Sequence, residues 1–150
     1  MNNDEIISTL NGLIEASKDG EEGFRTCAED ATGLQLKTLF ISRSQRCAAA
    51  ARELQDIVRS LGGEAETDSS FSDTLHRRWV DIKSVILGKD NETILNECER
   101  GEDLALSRYR NALAKTLPLP VRTVVERQLQ GVQQNHDQIK LIRDQAGAHP

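Results

Sequence analysis

Two glutamates carry the chemistry this sequence could perform. Glu102 falls inside the helical-spaced apolar set Ile94, Leu95, Cys98, Ala105, Leu106, Tyr109, Ala112 and Leu113. Glu21 falls inside a second such set, Ile6, Leu10, Leu13, Ile14, Phe24, Cys27 and Ala28. A carboxylate aimed at a helix seam costs free energy unless it is paired, protonated or bound to a cation. His136 follows Val132 by four residues and precedes Ile139 by three, which predicts that it too faces a seam, with Gln133 one turn away. One reading makes Glu21, Glu102 and His136 ligands of a single weak divalent ion (iron, manganese or zinc), with Gln133 supporting them from behind. Three ligands would leave positions open for water. The other reading is a structural polar layer that draws its partners from Arg43, Arg46, Tyr109, Gln133 and His136 and fixes helix register. In a further variant Glu21 turns outward and is surface charge.

The remaining chemistries find little support. Cys27, Cys47 and Cys98 each fall on an apolar stripe and form no CxxC pair, so they read as small buried hydrophobes, without a zinc site or disulfide framework. No phosphate-binding glycine loop follows a strand, and no basic stripe with interleaved aromatics points to nucleic acid. His76, Arg77 and Arg78 read as a solvated helix face.

Helices must position these groups. The first is predicted from Asn3 or Asp4 to about Asp30, with Thr32-Gly33 as its stop and Gly33 as a left-handed C-cap. The second covers about Leu34 to Leu61 and ends at Gly62-Gly63. Its stretch Cys47 to Ala51 is all small and invites close approach by a neighbour. A crossover of about residues 64–89 follows, with a shorter helix of its own from about Phe71 to Leu87, anchored by Trp79. The third main helix starts at Asp90 and runs to about Thr116. After the stiff Leu117-Pro118-Leu119-Pro120, the fourth runs to about Asp144. Residues 146–150 are expected to fray. The Gly-Glu-acid triplets Gly20-Glu21-Glu22 and Gly101-Glu102-Asp103 suggest an internal duplication.

Composition agrees with an all-α single domain spanning 1–150. Aromatics are 3% and charged residues 29%, which suits a helical bundle better than a sheet. The net charge of −5 opposes general nucleic-acid binding. No long apolar run is present for a membrane span, and the acidic start has no leader pattern, so a cytoplasmic chain is expected. Leu34, Val80 and Val85 are residual apolar positions where a homodimer or protein partner could dock.

Four stretches carry a resemblance: Asp19-Gly20-Glu21-Glu22-Gly23-Phe24-Arg25, Leu61-Gly62-Gly63-Glu64, Leu75-His76-Arg77-Arg78-Trp79 and Glu99-Arg100-Gly101-Glu102-Asp103. Through them the chain resembles a bacterial ferritin-like four-helix-bundle family of unknown function, distantly similar to rubrerythrins and ferritins. The resemblance implies two antiparallel helix pairs joined by one long crossover, and a stress-related or partner-binding role. Working di-metal sites of this fold take one Glu from each of two helices and a Glu-x-x-His from each of the others. Glu21 and Glu102 match the single glutamates. The paired motifs are reduced to Gln133-Gln134-Asn135-His136 and to Gln45-Arg46-Cys47-Ala48, which supply one His and no carboxylate. A neutral amide binds iron or manganese poorly. The sequence therefore argues for a degenerate metal site and against an oxygen-activating enzyme, with no resident cofactor expected.

Overall fold

Four long helices form a bundle in a computed structural model that describes residues 1–67 and 91–147. They are α1 (Asn3–Asp30), α2 (Leu34–Ser60), α3 (Asn91–Leu113) and α4 (Leu119–Gly147). No strand occurs among the described residues. The expected crossover helix, with Trp79 and the His76-Arg77-Arg78 face, lies outside them. So do Asp90, the expected cap of the third helix, and the docking positions Val80 and Val85.

Each helix exists because an apolar stripe recurs at its period and finds a partner stripe. Asn2 caps α1, its Oδ1 accepting from the Glu5 N–H at 2.9 Å, so the cap sits one residue before the expected one. Gly33 does adopt a positive φ of 94°, but as the residue that opens α2, because α1 already ends at Ala31. The turn between the two helices is too short for anything but an antiparallel pair.

Contacts at the two ends fix the topology. The Thr32 N–H donates to Asn91 Oδ1 and the Asn91 amide donates to Thr32 O, both at 2.9 Å. This places the start of α3 beside the α1–α2 turn. At the other end Gly63, just past α2, lies against Ile7 near the start of α1. The Lys115 Nζ, just past α3, donates to Thr9 Oγ1 of α1 at 3.1 Å. The end of α2 and the start of α3 therefore lie at opposite ends of the bundle, and the architecture is two antiparallel hairpins, α1–α2 and α3–α4.

The core has two halves. One gathers Ile6, Leu10, Leu13, Ile14, Leu54 and Val58 with Leu106, Tyr109, Val121 and Val125. The other gathers Phe24, Cys27, Phe40 and Cys47 with Ile94, Leu95, Cys98 and Ile139. Helix α1 packs closely along α2, and α3 along α4, with α1 against α3 as the main seam between hairpins. Helices α2 and α4 scarcely touch. That gap follows from sequence: the facing positions include Ala49, Ala50 and Gly131, which are too small to fill it.

Candidate functional site

Between the two core halves the stripe residues turn polar. Arg43, from α2, reaches inward to Glu102 on α3. Its Nε and Nη2 donate to the two carboxylate oxygens at 3.3 and 3.4 Å. Glu102 is 2% exposed and Arg43 7% exposed, so this is a buried ion pair. The guanidinium also lies 5.8 Å from the centre of the Phe24 ring, which stacks on Phe40. Asn135 of α4, also buried, has its side chain by the same carboxyl. Its Nδ2 has no well-aligned hydrogen-bond acceptor among the described residues.

The pair is electrostatically uneven. Burial pushes the Glu102 carboxyl above its ordinary range, and Arg43, Asn135 and His136 pull it only part of the way back. Bonds of 3.3 and 3.4 Å are long for charge-assisted contacts, which explains the incomplete compensation. Burial opposes the Arg43 charge as well, but Cys47 and Glu102 more than offset it and hold its pKa up. The Cys47 thiol is pushed up to about 12, chiefly by burial, which suits an inert packing residue.

One step along the bundle a second polar chain touches all four helices. Ser17 Oγ of α1 meets Tyr109 Oη of α3 at 3.4 Å. The Tyr109 hydroxyl donates to Gln128 Oε1 of α4 at 2.7 Å, and Gln128 Nε2 donates to Glu53 Oε1 of α2 at 2.8 Å. Arg127 closes the chain against Glu53. Between these two layers lies a cavity of about 570 Å³, opening through the α2–α4 gap. Its walls include Arg43, Arg46, Glu102, Tyr109, Gln128 and the small residues that keep the helices apart.

The expected ligand residues occupy three separate settings. Glu102 is in the centre with Arg43. Glu21 is at the rim, its side chain 20% exposed, held by Arg25 at 3.0 Å and near Lys18 at 3.9 Å on its own helix. His136 is on the outer edge of the α3–α4 hairpin, its Nε2 2.8 Å from Asp103 Oδ1 and 3.7 Å from Glu99 Oε1. Arg143 already engages that Glu99. Gln133 faces outward, accepting from Arg110 and donating to Asp137, each at 2.9 Å. Among the described residues, no three His, Cys, Asp or Glu side chains are placed to hold a metal ion.

Sequence reasoning missed Asn135, Gln128 and the cysteine pair. The buried stripe of α4 is Val121, Val125, Gln128, Val132, Asn135 and Ile139, which alternates steps of three and four. His136 breaks that alternation and Asn135 keeps it, so the stripe's register held the signal. Cys27 and Cys98, read separately as small hydrophobes, face each other across the α1–α3 seam with their sulfurs 2.6 Å apart. Both are free thiols with no surface exposure.

No helix among the described residues is long and apolar enough to cross a membrane. No curated protein matches the sequence. A family model does match residues 5–115, from the first turn of α1 through the end of α3, and includes Glu21, Arg43 and Glu102. That match covers most of the chain and shows that it belongs to the domain-of-unknown-function family DUF2383.

Proposed function

We propose that the chain is a non-catalytic binding bundle of ferritin-like design, in which the Arg43–Glu102 ion pair stands where working relatives of that fold hold metal. The supporting connectivity is two hairpins whose joined helix ends, the end of α2 and the start of α3, lie at opposite ends of the bundle, which agrees with the ferritin-like pattern. The observation that carries the reading is Glu102 itself. A fully buried glutamate whose two oxygens both accept from one guanidinium already has a counter-ion where a cation would sit. The gap between α2 and α4 forms a cavity. Its volume of about 570 Å³ lies within the range of small-molecule sites.

The ligand class follows from the walls. Arg43 is committed to Glu102 and Arg127 to Glu53. Among the described residues Arg46 has no ion-pair partner and is the one uncommitted positive charge lining the cavity, beside alanine and glycine walls. A compound with a compact apolar body and a single carboxylate matches this arrangement. Calorimetric titration with hexanoate and with the neutral hexanamide tests it. The expected result is saturable binding of the acid only, weakened roughly tenfold, about 1.4 kcal/mol, in Arg46→Ala. Equal binding of the two compounds, or binding of neither, would remove the anion site. Light scattering that shows a dimer closed over this gap would reassign the gap to a second copy.

The competing reading is one divalent ion held by Glu21, Glu102 and His136. Glu102 would have to release Arg43, Glu21 would have to release Arg25, and His136 would have to leave Asp103. Three existing charge pairs stand against it.

A further inference from the structure

We propose that Cys27 and Cys98 form an oxidisable thiol pair that a hydroperoxide converts to an intramolecular disulfide, tying the two hairpins of the bundle together. The observation is their placement. Cys27 is on α1 and Cys98 on α3, 71 residues apart in sequence, and their sulfurs lie 2.6 Å apart, inside van der Waals contact. Both are fully buried in the half of the core built from Phe24, Phe40, Ile94, Leu95 and Ile139. The α1–α3 seam they bridge is the main contact between the hairpins. Cys47, in the same half of the core, instead lines the cavity and lies beside Gly20. It serves as an internal comparison.

The chemistry balances with the hydroperoxide as the only co-reactant. One thiol loses its proton and attacks a peroxide oxygen. The O–O bond breaks, the sulfur becomes a sulfenic acid, and with hydrogen peroxide the departing oxygen leaves as water. The neighbouring thiol then attacks the sulfenic sulfur. The S–S bond forms, the S–O bond breaks, and the second thiol's proton leaves with the hydroxyl as a second water. Two thiols are oxidised by two electrons in all, and one peroxide is reduced. Burial and the neighbouring Cys27 raise the Cys98 pKa well above the ordinary thiol range, so the first step is slow in the closed bundle. Hydrogen peroxide, being nearly as small as water, reaches the pair during local opening of the seam.

The test treats the folded full-length protein with hydrogen peroxide, quenches it, and alkylates remaining thiols in denaturant before peptide mass spectrometry. The expected product has lost two hydrogens, carries a Cys27–Cys98 cross-linked peptide and has Cys47 alkylated. The oxidised protein should melt about 10 °C higher than the reduced one, since the link closes a loop of 71 residues. Cys98→Ala and, separately, Cys27→Ala should abolish both the cross-link and the shift, and either variant alone suffices if the other fails to fold. Recovery of Cys27 and Cys98 both alkylated after peroxide treatment would overturn the proposal. A cross-link that uses Cys47 would do the same.

Discussion

Glu102 and Arg43 are each other's ion-pair partner in the buried centre of the bundle. Removing one leaves a buried charge with no counter-ion. Glu102→Ala should therefore lower the unfolding free energy by about 3–5 kcal/mol in urea titrations. Arg43→Met combined with Glu102→Leu should cost less than the two single changes added together, because neither charge is then stranded. Strict additivity would mean that the two side chains do not share their energetics. The same pair sets a pH dependence. The native Glu102 pKa lies above its ordinary value of 4.5, mainly through burial. The folded state thus holds this proton more tightly than the unfolded chain does. The group's contribution to stability is full below the unfolded value and is lost as pH rises through the folded one. Glu102→Gln cannot titrate, so its urea midpoints should fall less than those of the native protein as pH rises from acid to neutral. A parallel pair of profiles would contradict the raised pKa. The need of Glu102 for a partner was legible in the sequence, since a carboxylate on an apolar stripe announces it. Which partner answers was not, because Arg43 and Arg46 stand on the same helix and only the rotation of α2 selects Arg43. Glu21 illustrates the opposite case. The same local pattern gives a rim residue because Lys18 and Arg25 satisfy it within its own helix.

Helix spans were readable because each apolar period continues on either side of its polar interruptions and the breaks between helices carry glycine or proline. The observed α1 and α2 fall within a residue of the expected bounds. Register was harder. In α4 His136 has the chemistry of a metal ligand, whereas the spacing of the valines and Ile139 selects Asn135 for the buried stripe. Polar residues that complete a stripe are easy to overlook when only apolar ones are counted, and Gln128 was overlooked in the same way. The α1–α2 contact makes a sharper test of element packing. Gly20 lies where an added Cβ would come 2.9 Å from Cys47 Sγ, and Ser44 of α2 donates to the Glu21 carbonyl at 2.8 Å. Gly20→Ala would ordinarily gain about 1 kcal/mol in a helix interior. Here overpacking should outweigh that gain, for a net loss of about 1 kcal/mol or more by thermal or urea unfolding. In a Cys47→Ala background the same substitution should be neutral or stabilising. If Gly20→Ala stabilises the native sequence, the two helices are not held at this distance.

At the scale of the molecule, the bundle is an unequal assembly of four seams. Three are closed by apolar stripes and the fourth, between α2 and α4, is spanned mainly by polar side chains over a cavity. The all-α class, the antiparallel hairpins and the long link were all expected from period and break positions. The open seam was not, because the small residues of α2 announced a close neighbour without saying which; α1 approaches closely at Gly20 and Cys47, while the facing residues of α4 are small or polar, so that side stays unfilled. A metal cluster would draw four helices together at one level through shared anionic ligands. At the level of Glu102 the bundle is crossed by one arginine, Arg43. The most direct measurement is elemental analysis after the purified protein has been equilibrated with iron(II), manganese(II) or zinc(II) and passed through a desalting column, with Glu102→Ala treated alongside. The ion-pair account predicts substoichiometric metal in both proteins. Stoichiometric metal in the native protein that is lost in Glu102→Ala would contradict it.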